Sequence, residues 1–345
     1  MSPQIEALPV VAPPPVLAVL RQALPGLALA VGLAAGAMAV RRLPGLGAIS
    51  PAILAVVLGM AARRVIGLQA SLRPGLALST RTLLRLAVVL LGLQIPLGQI
   101  AALGIGSLLA VMGGLFTCFF GTIWLGRRLG VDSRLTRLIA TGTAVCGASA
   151  VVAANSVSRG SDEDVAYALA TVTLFGTLAM LVVPALALLL GLDPELAGIW
   201  TGASIHEVAQ VVGAATQLGS QATQTATIAK MARVLMLAPL VLAMLAHERR
   251  RRGAPDAPEA RLPVPWFVFG FLALAGVASL GVVPVAVAQT SGLVASFLLA
   301  AALAAMGFAV ELRALRKKGL RPLLLALSSA LLIAGTSYGL LQLLR

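Results

Sequence analysis

The sequence predicts an all-α fold, a polytopic transmembrane bundle of about eleven helical spans with discontinuous helices. Three observations carry that expectation. Hydrophobic residues make up 59% of the chain and charged residues only 11%, against about 25% charged in a soluble domain. The apolar residues come in runs of about 20, the length that crosses a hydrocarbon core of about 30 Å. The charges fall between those runs. A water-soluble chain of 345 residues could not bury this much apolar surface in one or two cores, whereas a lipid bilayer covers it.

In chain order the runs fall at about 25–40, 48–66, 82–99, 102–125, 134–157, 164–191, 196–217, 222–246, 263–281, 285–310 and 320–343. Residues 1–24 carry Glu6 and several prolines and lack the basic start and short apolar core of a signal peptide. They read as a short cytoplasmic lead-in to one integral membrane domain over 25–345. No soluble domain is expected, and the longest polar stretch, His247 to Arg261, reads as a loop.

Charge placement sets the expected orientation. With a cytoplasmic N-terminus and all eleven segments crossing, the inner side holds nineteen Lys and Arg residues, and the outer side keeps Arg41, Arg42, Arg159 and Arg345. That bias is the positive-inside signature. The net charge of +14 therefore needs no nucleic-acid partner, since there is no basic domain and no interleaving of aromatic and basic residues. A weak internal repeat lays Leu86–Gly104 on Ala301–Gly319, with Gly92 on Gly307, Leu97 on Leu312 and Gly104 on Gly319. The copies lie seven spans apart and so point opposite ways, as in carriers built from inverted repeats.

Two spans hold residues that a lipid-facing helix does not need. The fifth reads TGTAVCGASAVVAANS from Thr141 to Ser156. Its glycines and hydroxyls suit an interrupted helix, because Gly tolerates unusual backbone angles and Ser/Thr satisfy freed backbone groups. A small-residue packing face is the competing reading. The seventh, TGASIHEVAQVVGAATQ, carries His206 and Glu207 near its middle and Gln210 a turn on. A carboxylate in hydrocarbon is costly and usually faces a cavity or a partner, so Glu207 is the strongest single functional signal. A structural ion pair is the alternative. His206 reads either as a proton carrier or as a hydrogen-bonded core residue. The eighth span places Lys230 and Arg233 three residues apart on one helical face. Two cations and one carboxylate make a positive interior, which favours an anion. Lys230 could instead snorkel to the surface.

No HExxH, G-x-S-x-G or Walker-type glycine loop occurs, so neither catalysis nor ATP-driven transport is expected. Cys118 and Cys146 form no metal or disulfide pattern, and no cofactor or metal is expected.

The strings ATGTAVCGASAVVAA, TLFGTLAMLVVP, GASIHEVAQVVGAA and ATIAKMARVLMLAPL resemble the YeiH-like bacterial membrane family over nearly the whole chain. Its members are labelled sulfate exporters, a label inferred for relatives linked to taurine and sulfonate breakdown. The family is in turn similar to cation/proton antiporters and bile-acid-symporter-like carriers, which cross two discontinuous helices near the substrate. The resemblance implies a site made of Gly142, Thr143, Cys146, Gly147 and Ser149, then Ser204, His206, Glu207 and Gln210, then Lys230 and Arg233. One point resists it. With all eleven segments crossing, the fifth and seventh are parallel, whereas crossing helices of an inverted repeat are antiparallel.

The leading expectation is a secondary carrier in the bacterial inner membrane for a small inorganic or organic anion, sulfate or sulfite by resemblance. It would be proton-coupled or an exchanger, with a homodimer left open. The alternatives are a Na⁺/H⁺-type antiporter using Glu207, and a channel or non-transporting membrane subunit.

Overall fold

The computed structural model describes residues 16–43, 51–67, 69–252, 266–309 and 318–344. Residues 1–15, residues 253–265 with the rest of the expected loop, Arg345, and Leu312 in the second copy of the repeat lie outside them. The described start of that expected loop, His247–Arg252, is helical instead. Among the described residues there are helices and turns and no strands, as the composition requires. In lipid every backbone group must be satisfied within the protein, and a helix does this locally.

The order is α1 (Val16–Val40), α2 (Pro51–Ile66), then a continuous helical span, Ala70–Gln94, containing α3 (Arg73–Leu78), a π turn and α4 (Leu84–Leu91). A short α5 (Leu97–Ala102) precedes α6 (Gly104–Arg128), α7 (Ser133–Ala144), α8 (Ala148–Ser158) and α9 (Asp162–Leu189). Next come α10 (Pro194–Ser204), α11 (Val208–Ala215), α12 (Ser220–Leu235) and α13 (Leu237–Arg252). The chain closes with α14 (Trp266–Ser279), α15 (Val285–Ala309) and α16 (Leu320–Leu344). Seven of the described helices are long and apolar enough to cross a membrane, α12 and α13 counting as one. The shorter α2 and α14 run beside them. α1 opens at Val16, earlier than the apolar run alone suggested.

Local chemistry sets several of the helix starts. Asp132 caps α7 by accepting the N–H of Arg134 at 2.8 Å, and Asp193 caps α10 by accepting that of Leu196 at 2.9 Å. Ser161 and Asp164 cap α9 reciprocally. Each cap satisfies N–H groups that a helix start leaves free. The outer surface carries exposed Phe120, Trp124, Leu181, Val182 and Leu331, while Arg233, Lys230 and Gln210 are fully buried. That is the polarity of a soluble protein reversed.

All eleven expected segments are present and in order. The fifth and seventh are broken, and neither crosses. Gly142 of α7 lies against Val151 of α8, and Leu138 against Gly160. As numbers rise along one helix they fall along the other, so α8 runs back beside α7. The second pair behaves the same way. Gly176 and Gly213 pair α9 with α11 through Gln210 and Met180, in parallel. Gly198 and Gly202 pair α10 with α12 through Ala222 and Ala226, again in parallel. Because α10 follows α9 through a tight turn and opposes it, α11 must oppose α10. Both segments are re-entrant hairpins, and they enter from opposite faces.

This corrects the expected topology. A hairpin that returns leaves Arg159 on the same face as Arg127, Arg128 and Arg134, not on the outer side. Among the described residues only Arg41 and Arg42 then remain in the loops of the opposite face. The charge asymmetry is thereby sharper than with eleven crossings. The difficulty of parallel broken spans disappears too, since hairpin plus α9 and hairpin plus α12–α13 are related by inversion. For the sequence repeat, the described parts agree, because α4 and α15 run in opposite directions.

The helices sort into two groups. One contains α1, α2, the Ala70–Gln94 span, α14 and α15. The other contains α6, both hairpins, α9, α12–α13 and α16. At mid-depth the groups meet where α11 lies against α2 and α15. Towards the face opposite the arginines, α12 approaches α14 and α5, and Gln224 Nε2 donates to the carbonyl of Gln94 at 3.4 Å. An apolar groove of about 140 Å³ lies between α2 and α9, lined by Ile53, Met60, Leu174 and Leu178 among others.

Candidate functional site

The tips of the two hairpins meet at the centre of the second group. Each tip is a break made by the sequence. α7 ends where Val145 leaves the helical region (φ −111°, ψ −86°), and Gly147 follows at φ 72°, ψ −128°. That backbone is open in practice only to glycine. A Cβ there would also lie 2.4 Å from Cγ of Glu207, so the first tip needs glycine on two counts. At the second tip, Ile205 and Glu207 are both extended (ψ 147° and 149°).

A helix that stops inside the membrane leaves carbonyls without partners at its C-terminus. For α7, Thr141 and Gly142 accept from the N–H groups of Val145 and Gly147. Arg233 takes the rest. Its Nη2 donates to Thr143 and Ala144 at 2.8 Å each, and its Nε to Ala144 at 3.1 Å. Nη1 reaches the other hairpin, donating to Gly202 at 3.1 Å, Ala203 at 2.7 Å and Ile205 at 3.0 Å. Lys230 Nζ donates to Val145 and Ile205, one carbonyl from each break, at 2.8 Å each.

Burying two cations at this depth is expensive. Here eight hydrogen bonds to backbone oxygens and the negative ends of two half-helices offset the cost. The guanidinium suits the task because its planar fork reaches both helix ends at once.

The carboxylate sits on the complementary ends. Glu207 starts α11, and its Oε1 accepts the N–H of Ala148, the first residue of α8, at a long 3.4 Å. Its own N–H donates to Oε1 of Gln210 at 3.2 Å. Gln210 Nε2 donates to the Thr173 carbonyl at 3.4 Å and to Oγ1 of Thr177 at 3.3 Å on α9. It also lies 3.7 Å from Sδ of Met306 on α15, in the other helix group.

The structure brings most of the expected residues to these tips. Gly142 and Thr143 are buried at the end of α7, and Cys146 and Gly147 form the first break. Sγ of Cys146 and Oγ of Ser149 are 2.9 Å apart, and Ser149 is exposed. Ser204 and His206 are buried at the second break. Among the described residues, Ser204 Oγ and both ring nitrogens of His206 have no hydrogen-bond partner. Neither Lys230 nor Arg233 snorkels; both are fully buried.

Sequence reasoning missed the backbone itself, since the ligands of Lys230 and Arg233 are all carbonyls. It also missed Thr173 and Thr177. Their four-residue spacing places them on one face of α9, a signal that could have been read. At the arginine-rich face, Arg137 pairs with Glu248 at 3.0 Å, and Lys318 pairs with Asp164.

Two opposed re-entrant hairpins whose tips meet over buried charges make this an integral membrane protein of transporter-like architecture. Within that class, the chain belongs to the YeiH-like UPF0324 membrane protein family. A family model described as conserved hypothetical protein 698 matches residues 25–326. A UPF0324 membrane protein of Corynebacterium glutamicum is 39% identical over 286 residues, 83% of each chain. The UPF0324 inner membrane protein YeiH of Escherichia coli K12 is 35% identical over 312 residues, 88% of this chain and 89% of that one. The UPF0324 membrane protein TauZ of Paracoccus pantotrophus is 37% identical over 287 residues, 82% of this chain and 85% of its own.

Proposed function

We propose that this protein is a secondary carrier that moves a small inorganic or organic anion across the bacterial inner (plasma) membrane. The observation that carries the reading is the charge at the centre. Lys230 and Arg233 are fully buried there, and Glu207 is the one carboxylate at the two breaks among the described residues. With both Lys230 and Arg233 charged, the surplus is positive whether Glu207 is ionised or protonated. Helix ends leave it unchanged, because two C-termini and two N-termini meet and their partial charges cancel. Such a centre attracts an anion and repels a free cation, which counts against a Na⁺/H⁺-type antiporter.

In this reading the anion docks at the rim of the first break, where Ser149 is exposed beside Cys146 at the start of α8. Lys230 and Arg233 supply the field without touching it. Glu207, bridging the N-termini of α8 and α11, takes up or releases a proton as the anion arrives or leaves. The arginine-rich face is cytoplasmic by the positive-inside rule, which puts the N-terminus inside. Alternating access comes from movement of the hairpin-bearing group against the other across the α11 contact.

Sulfate, sulfite and small sulfonates are the first candidates, given the family resemblance and a relative named TauZ. The test is a thermal-stability screen of the purified protein, since a ligand that binds the native state raises its apparent stability. Flux in proteoliposomes follows for each hit. An anion that stabilises and is transported supports the proposal. Flux that depends on a cation and ignores anions would replace it with the antiporter, and conduction far above carrier turnover with a channel.

A further inference from the structure

We propose that the carbonyls at the two breaks form a monovalent-cation cradle that the chain fills permanently with its own cations, Lys230 above all. Half-helix C-termini and unwound carbonyls at mid-membrane depth are the groups that hold Na⁺ in carriers with discontinuous helices. This protein has two such ends, converging from opposite faces. Lys230 Nζ sits between Val145 and Ile205 at 2.8 Å from each carbonyl oxygen, where it joins the two breaks. Arg233 occupies the oxygens of Thr143, Ala144, Gly202 and Ala203, and shares that of Ile205. Every carbonyl from Thr141 to Val145 is thereby engaged.

Two consequences follow. A free metal cation finds no unshared carbonyl among these oxygens and meets two fixed positive charges beside them. The site therefore neither binds nor needs Na⁺ or K⁺. Shortening Lys230 should reverse this, because two carbonyls of opposing half-helices would then face a space the size of an ammonium group. A monovalent cation would enter it, ammonium best of all, since it reproduces the lost donors. Arg233 stays in place and limits the affinity, so occupancy is expected at millimolar rather than micromolar concentration.

The binding claim stands apart from transport, while its corollary, a carrier that does not use a Na⁺ gradient, rests on the proposed function. The experiment compares wild type with Lys230→Ala, both purified in choline chloride. Melting is followed as choline is replaced by NH₄⁺, Na⁺ or K⁺ at constant ionic strength. Wild type should show no cation-specific change. Lys230→Ala should melt lower in choline and recover by several degrees, saturably, in NH₄⁺, with smaller recovery in Na⁺ or K⁺. A folded Lys230→Ala indifferent to all three cations would overturn the cradle. Saturable stabilisation of wild type by Na⁺ or K⁺ would overturn it too, and that arm decides if the variant does not fold. Flux of the hit anion by wild type should be the same with and without a Na⁺ gradient, and dependence on the gradient refutes the corollary. Absence of any flux, with the melting behaviour as expected, would remove the carrier reading and leave the tethered cation intact.

Discussion

Arg233→Lys is the most searching perturbation of the centre, because it keeps the charge and removes the fork. Arg233 makes six hydrogen bonds to five carbonyls belonging to two half-helices. A lysine has three donors on one nitrogen and cannot span both helix ends. At least three bonds are lost. Counted only as membrane-protein hydrogen bonds, at about 0.6 kcal/mol each, they amount to about 2 kcal/mol. Counted as buried carbonyls left unsatisfied, at about 1–3 kcal/mol each, they amount to about 3–9 kcal/mol. The upper figure approaches the whole stability of a typical domain, about 5–15 kcal/mol. The assay is reversible unfolding in mixed micelles, alongside size-exclusion profiles of detergent-solubilised protein. The expected result is a loss of at least about 2 kcal/mol with charge conserved. A variant within about 0.5 kcal/mol of wild type would refute the argument that fork geometry, rather than charge, holds the two breaks together.

Four further outcomes follow from the same structure. Glu207→Gln keeps an acceptor for the Ala148 N–H and should change stability by less than about 1.5 kcal/mol while abolishing anion flux in proteoliposomes; full flux would exclude Glu207 from coupling. Gly147→Ala combines disallowed backbone, about 1–3 kcal/mol, with overpacking against Glu207, about 1–3 kcal/mol, so unfolding should show a loss of about 2–6 kcal/mol. Introduced cysteines at the exposed Arg128 and Arg159 should react with an impermeant thiol reagent from the same side of the membrane, and one at Gln221 from the other; labelling of 128 and 159 from opposite sides would refute the first hairpin. Ser161→Ala removes one half of the α9 cap and should cost about 1 kcal/mol, read by the same unfolding assay without loss of flux.

Much of the fold was legible because membrane solvation imposes simple rules. Length, apolarity and the placement of arginines located the segments and their order. The composition of the fifth segment pointed to an interrupted helix, with a small-residue packing face as the competing reading, and for the seventh the interruption was implied only by the family resemblance. Sequence could not say that these segments turn back. A broken helix that continues and one that returns have the same length and composition. Arg159 was the available clue, being the one mid-chain arginine on the wrong side when every segment was taken to cross.

For the candidate site, the sequence already named the polar residues: Glu207, His206 and Gln210 in one apolar run, and Lys230 and Arg233 one turn apart in the next. It could do so because charges at that depth are too costly to be accidental. What they touch emerged only from the packing of the chain. The partners of Lys230 and Arg233 are backbone oxygens, which every residue possesses and no sequence pattern displays. Two helix ends had to be brought together from opposite faces of the membrane before those oxygens could become a site.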